Sequence, residues 1–119
     1  MMTTAVKSLG AVGVVTDGEI RDINEIREIG GLQYFAQGIC VSHGSLRVVD
    51  VNVPVEISGC KIEPGDLLHG DLNGVLKIPH EIASRVIEGV QKVRESEGGT
   101  LKKMKPRMTV ADLKEAFNY

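Results

Sequence analysis

Apolar positions at the start of the chain follow a helical spacing. Ala5, Val6 and Leu9 share one side, and Gly10 follows where a left-handed C-cap sits. The pattern predicts the last turns of a helix that begins at or before Met1. Ala11 to Thr16 is a short β-branched run, which predicts a strand buried on both faces. It leads into the turn dipeptide Asp17-Gly18. Asp22-Ile23-Asn24-Glu25 then reads as an N-cap with a capping box. Ile23, Ile26 and Ile29 form an apolar stripe ended by Gly30-Gly31, so a short helix is expected over residues 23–29.

From Tyr34 to Ile78 the texture changes to short runs broken by Gly, Pro, Asn and Asp. Strands are expected at Tyr34–Ala36, Ile39–Ser42, Arg47–Val51, Val53–Ile57, Lys61–Ile62, Leu67–His69 and Val75–Ile78. Pro64-Gly65-Asp66 and Asp71-Leu72-Asn73-Gly74 are the clearest turns. After Pro79, the residues Ile82, Val86, Val90 and Val93 mark one face of a helix that Gly98-Gly99 is expected to stop near residue 97. Thr109 with Asp112 three positions on predicts a second N-cap, with Val110, Leu113 and Phe117 as the apolar face of a terminal helix. The expected organisation is a domain over 1–97, a linker over 98–108 and a terminal helix over 109–119. The class is α/β, as a layered β/β/α domain.

Composition narrows the function classes. At 119 residues with 25% charged and 42% hydrophobic positions, the chain is of a size for one small domain. No apolar run approaches the ~20 residues of a membrane helix, and residues 1–10 lack the apolar core of a secretory signal. Cys40 and Cys60 form no CxxC pair, so two free, buried thiols in a reducing cytoplasm are expected. Residues 1–80 hold 6 Lys/Arg against 10 Asp/Glu, net −4, whereas residues 81–119 hold 8 against 6, net +2. An acidic main body with few aromatic residues argues against nucleic acid as a partner. The basic stretch Lys102, Lys103, Lys105, Arg107 reads as a solvated linker face.

The densest chemistry lies in Gly13-Val-Val-Thr-Asp17-Gly18-Glu-Ile-Arg21-Asp22. Here a strand ends and a helix begins, a place where α/β proteins bind ligands and anions. Arg21 offers a planar fork for a carboxylate, and Asp22 offers hard oxygen for Mg²⁺ or Mn²⁺. The plainer alternative makes Asp22 a helix cap and Arg21 a surface charge. Asp66 and Asp71 can handle a metal or a proton, but turn formation also explains them. His43, His69 and His80 share no ligand spacing, His43-Gly44-Ser45 supports no catalytic triad, and neither a Walker loop nor GxGxxG is present.

Four segments in register, Ala11–Asp22, Pro54–Gly59, Pro64–Asp66 and Asp71–Pro79, resemble the family of class II 4-hydroxy-4-methyl-2-oxoglutarate aldolases. That family also contains the regulator of ribonuclease activity A, and its members have carried the label demethylmenaquinone methyltransferase. The resemblance covers residues 4–97. It implies a β/β/α fold of the phosphohistidine-swivelling type in trimers or hexamers. It also implies a cytoplasmic, divalent-metal-dependent lyase that acts on small 2-oxo acids and releases pyruvate. On that reading Arg21 and Gly18 bind substrate, Arg21 and Asp22 are catalytic, and Asp22 holds Mg²⁺ or Mn²⁺. Asp17 and Asp71 are secondary candidates. Family members are longer, and the resemblance places their excess before the position of Met1, where a Gly-rich segment contributes backbone amides to the substrate carboxylate. The expectation is therefore a truncated or split member, with each missing donor costing about 10²–10³ in rate. A non-enzymatic interaction module of the ribonuclease-regulator type is the alternative. A methyltransferase ranks last, because no cofactor-binding Gly loop is visible.

Overall fold

The computed structural model describes residues 1–45 and 47–117. They fall into two compact units, Met1–Pro79 and His80–Tyr119. The chain is mixed α/β, with four helices and eight short strands among the described residues.

In the first unit, α1 (Met2–Ser8) ends as the sequence predicts. Gly10 takes φ +88°, its N–H donates to the Lys7 carbonyl at 2.9 Å, and the Ala11 N–H donates to the Val6 carbonyl at 3.2 Å. That pair of bonds is a Schellman cap, which only a residue without a Cβ accommodates at low cost. Next come β1 (Gly13–Val15) and β2 (Glu19–Ile20), with a bend between them. Then α2 (Ile23–Ile29) covers the predicted span, followed by β3 (Gln33–Phe35) and β4 (Gly38–Ile39). β1 pairs with β3 and β2 with β4, both parallel, so the first half of the unit is one bent βαβ ladder crossed by α2. Lys7 ties the two helices together by donating to the carbonyls of Ile29 at 2.8 Å and Gly30 at 2.7 Å. These are open acceptors at a helix C-terminus, where a cation is favoured. Thr3, one of the few buried residues, meets the Tyr34 hydroxyl at 3.1 Å and holds α1 on β3.

The remainder of the unit is two antiparallel hairpins. β5 (Val55–Ile57) pairs with β6 (Cys60–Ile62), and β7 (Leu67–Asp71) with β8 (Gly74–Ile78). Ser58 and Gly59 both have positive φ, +49° and +79°, the two-residue turn whose twist matches the flanking strands. The Pro64–Asp66 turn is closed by the Asp66 carboxylate. It accepts from the Glu63 N–H at 2.6 Å and from Lys77 Nζ at 2.7 Å. In the Asp71–Gly74 turn, Asp71 accepts from the backbone and side chain of Asn73 at 2.8 and 3.2 Å. Both predicted turns are present. At Gly70 an added methyl group would overlap the ring of Phe35, so glycine lets β7 and β3 approach.

Several expectations are corrected. The Ala11–Thr16 strand is not buried on both faces: Gly13 is exposed and Val14 and Val15 half-buried, in a sheet that among the described residues consists of β1 and β3. Arg47–Val51 is irregular rather than a strand, and Val48, Val49 and Val51 are exposed. A β-branched run becomes a strand only where a partner and a packing surface await it. Both thiols are free, but Cys40 is half-buried and Cys60 exposed.

In the second unit α3 (His80–Lys103) continues through Gly98-Gly99, so the expected boundary at 97 falls inside a helix and the linker shrinks to 104–109. Each interior Gly costs only about 1 kcal/mol. The helix beyond is supported by Thr100 Oγ1 bonding the Ser96 carbonyl at 3.2 Å and by Lys102 and Lys103 in the last turn. α4 (Val110–Phe117) starts where predicted. The Thr109 hydroxyl accepts from the Asp112 N–H at 3.2 Å, and the Asp112 carboxylate accepts from the Thr109 N–H at 2.7 Å. The last two positions of the expected terminal helix, 118–119, lie outside the described residues.

Two outcomes are expected. Gly70→Ala lowers stability by about 1–3 kcal/mol, the usual cost of overpacking, as read by urea unfolding. Asp71 is held below its ordinary 3.8, first by the Asn73 backbone N–H and then by the Asn73 side chain. A carboxyl with a lowered folded pKa adds stability that is complete above the unfolded value and lost as pH falls through the folded one. Melting temperature therefore drops below about pH 4, and Asp71→Ala makes that acid limb shallower.

Candidate functional site

The strand-to-helix junction at residues 16–22 is built by local bonds. After β1 the Thr16 side chain accepts the Gly18 N–H at 3.0 Å, which folds Asp17-Gly18 into a bend. Thr16 also donates its own N–H to the Phe35 carbonyl at 2.9 Å, and the Gly18 carbonyl accepts from Gln37 at 3.1 Å. The bend is thereby fixed to the end of β3. β2 restarts the ladder for two residues and delivers Arg21 and Asp22 to the start of α2. Thr16 was not among the sequence candidates. Its signal was present, since a Thr two positions before Gly in a turn is a side-chain-closed turn motif.

Asp22 is the N-cap residue of α2, yet its backbone is left-handed, at φ 59° and ψ 44°, and its carboxylate makes no capping bond. N-cap side chains reach the helix amides from the extended region. From the left-handed region the carboxylate is turned away, so the predicted capping box is absent. The Asp22 carbonyl still accepts the first helical bond, from the Ile26 N–H at 2.9 Å. The carboxylate instead stands 3.7 Å from Arg21 Nε, with the two side chains 44% and 60% exposed for Arg21 and Asp22. A non-glycine residue in this backbone region is strained by about 1–2 kcal/mol, and such strain clusters at functional sites.

The remaining predicted residues divide between two places. Asp17 and Gly18 share the bend with Arg21 and Asp22 and are exposed. Asp71 belongs elsewhere. With Gln33–Ala36 and Gly70–Val75 it borders an open cavity of about 610 Å³, and none of residues 17–22 lines it. His69 Nε2 lies 4.0 Å from its carboxylate, and its two oxygens serve the turn. A smaller cavity of about 280 Å³ sits at the carboxyl ends of β1 and β3, bordered by Val15, Thr16, Phe35 and Gln37. Among the described residues no three His, Cys, Asp or Glu side chains gather as metal ligands. At the bend the chain offers a divalent cation the exposed carboxylates of Asp17, Glu19 and Asp22, and Asp22 is the one that stands at the helix start without being engaged in capping. That donor set fits a hard ion such as Mg²⁺, which takes one or two protein carboxylates and fills its other positions with water and substrate oxygens.

Comparison with known proteins places this arrangement. The family model described as RraA-like, Aldolase/RraA, matches residues 1–76. The chain belongs to the RraA-like family. An uncharacterized protein of Methanocaldococcus jannaschii is 34% identical over 114 residues, covering 94% of this chain and 52% of the relative. A Halalkalibacterium halodurans protein provisionally named 4-hydroxy-4-methyl-2-oxoglutarate aldolase is 34% identical over 87 residues, 72% of this chain and 41% of its own length. Protein DlpA of Legionella pneumophila is 35% identical over 88 residues, 72% of this chain and 14% of its own. The crystal structure of an uncharacterized protein from Pseudomonas syringae pv. tomato superposes with a TM-score of 0.67 at 29% identity, over 98% of this chain and 57% of that one. This chain thus spans about half of the first curated relative.

The geometry at Asp22 makes opposite predictions for two substitutions. Asp22→Gly relieves the left-handed backbone and raises stability by about 1 kcal/mol. Asp22→Ala removes no capping bond but puts a residue less tolerant of the left-handed region in place of Asp, and is expected to lower stability by about 0.5–1 kcal/mol. Chemical denaturation of the three proteins checks both; a side-chain cap would make Asp22→Gly weaker than the parent as well.

Proposed function

We propose that this chain carries the Arg-Asp element of a divalent-metal-dependent lyase of aldolase or decarboxylase type, which cleaves small 2-oxo acids with release of pyruvate. The observation that carries the reading is the Asp22 carboxylate, turned off its helix by a left-handed backbone and set beside the Arg21 guanidinium. Family membership and the name of the Halalkalibacterium halodurans relative support it.

Arg21 presents a planar array of donors to the carboxylate and 2-oxo oxygens of the substrate, and its fixed charge offsets the negative charge that develops as the C–C bond breaks. Asp22 is the carboxylate that would hold Mg²⁺ or Mn²⁺. A bound divalent cation supplies Lewis-acid polarisation of the 2-oxo group. Gly18, in the bend held by Thr16, would contribute to substrate binding by letting the backbone approach closely. The layered β/β/α arrangement, assembly into trimers or hexamers and a cytoplasmic setting belong to the same reading.

A coupled pyruvate assay on oxaloacetate and 4-hydroxy-4-methyl-2-oxoglutarate, with Mg²⁺ or Mn²⁺, tests it. Pyruvate release is expected to fall by about 10²–10³ in Asp22→Ala and to show a raised KM in Arg21→Lys, which keeps the charge but loses the fork. Equal release from parent and Asp22→Ala would refute the assignment.

A further inference from the structure

In the second unit, outside residues 1–76 that the family model matches, the basic stretch forms the wall of a cavity. As α3 ends, the Met104 N–H donates to the Leu101 carbonyl at 3.1 Å. The Lys105 N–H then meets Met108 Sδ at 3.0 Å, and Arg107 takes a left-handed backbone, φ +63°. These features fold 104–109 into a shaped corner between α3 and α4, where a solvated linker face was expected. The corner opens on a cavity of about 430 Å³ bordered by Lys103, Lys105, Arg107, Met108, Asp112 and Glu115. That volume lies in the range of small-molecule sites. The charges around it do not neutralise one another by contact. Among the described residues none of Lys102, Lys103, Lys105 and Arg107 forms an ion pair. Asp112 is already engaged: its carboxylate accepts the Thr109 N–H and hydroxyl, both at 2.7 Å. Those bonds, the hydroxyl first, hold it below its ordinary 3.8, with the nearby Lys105 charge adding to the effect. Glu115 has no ion pair among the described residues. Cations gathered this closely repel one another, and a bound anion relieves the repulsion.

We propose that the α3–α4 corner binds a compact organic anion that carries at least two oxyanion groups and a hydroxyl donor. Lys103 and Lys105 meet the oxyanions as point charges, and the Arg107 guanidinium takes one of them through its planar fork. The hydroxyl donates to the Glu115 carboxylate, which otherwise repels the ligand. That carboxylate is what selects the class: a bare anion with no proton to donate meets the same cations but gains nothing from Glu115. Nucleic acid fits less well. Two acids border the cavity, and among the described residues no aromatic side chain lines it for a base to stack on. Hydroxylated polycarboxylates and sugar phosphates share the required chemistry. The inference does not rest on the lyase reading, because no residue of the Arg21–Asp22 site borders this cavity.

Calorimetric titration of the full chain at low ionic strength, where exposed charges are least screened, tests the site with four probes. Citrate represents the polycarboxylates, fructose 1,6-bisphosphate the sugar phosphates, sulfate the bare anions and single-stranded RNA the polyanions. One-site, saturable binding is expected for citrate or the bisphosphate, and the tighter of the two identifies the source. Sulfate is expected to bind about 10-fold more weakly, the worth of one charge-assisted hydrogen bond. Lys103→Gln with Lys105→Gln is expected to weaken the organic anion by about 10-fold or more, whereas Lys92→Gln, outside the cavity, leaves it unchanged. Glu115→Gln removes the repelling charge and is expected to narrow the gap between the organic anion and sulfate. Circular dichroism of each variant, matching that of the parent, separates lost binding from lost folding. The proposal is overturned if neither organic anion saturates or if Lys92→Gln costs as much as the cavity pair. It is equally overturned if sulfate binds as tightly as both, which marks an adventitious ion only, or if RNA binds more tightly than either and displaces it.

Discussion

The bond from the Gly18 N–H to the Thr16 hydroxyl governs the candidate site. It interrupts the β1–β2 strand for a single bend, and the parallel ladder resumes on the other side because Gln37 and Cys40 on the partner strand donate to the carbonyls of Gly18 and Ile20. A strand broken and restarted in this way arrives at α2 already paired. The chain must then turn into the helix within one residue, and Asp22 makes that turn by adopting a left-handed backbone. The side chain's release from capping and its place beside Arg21 follow from the same turn.

The parts of the fold visible in the sequence are those that short-range chemistry determines. Gly10, Gly65 and Gly74 mark positive-φ positions, Thr109-Asp112 closes a capping box, and Ile23, Ile26 and Ile29 span α2. What failed depended on partners distant in sequence. The valines of 47–51 carry strand propensity but pair with no strand among the described residues, and Val14 and Val15, in a two-stranded sheet, are half-buried. Gly98-Gly99 failed for a different reason: a long helix with a supported end tolerates adjacent interior glycines.

The candidate site was legible as a cluster but not as a geometry. The Asp-x-x-Glu spacing at 22–25 is the ordinary signature of a capping box, and it pointed to the plainer role for Asp22. Residue spacing does not report backbone handedness, so the feature that separates the two roles became visible only in the structure. For Asp71 the balance is reversed: Asn73 occupies both carboxylate oxygens, and the turn accounts for the residue.

The same logic explains how a site with no three ligating side chains gathered among the described residues remains compatible with metal chemistry. A hard divalent ion needs only one or two protein carboxylates when water and a chelating substrate supply the rest, so the contribution asked of this chain is orientation rather than charge. Orientation comes from rigid neighbours. Here the rigidity is one-sided: the ladder fixes Arg21 and Asp22 from the direction of β3 and β4, while the opposite edge of β1 has no neighbouring strand among the described residues. A fork and a carboxylate 3.7 Å apart and both exposed retain freedom that water exploits, and in high dielectric their field is weak. Excluding water and narrowing the range of the two side chains would therefore act on the chemistry directly, without altering either residue.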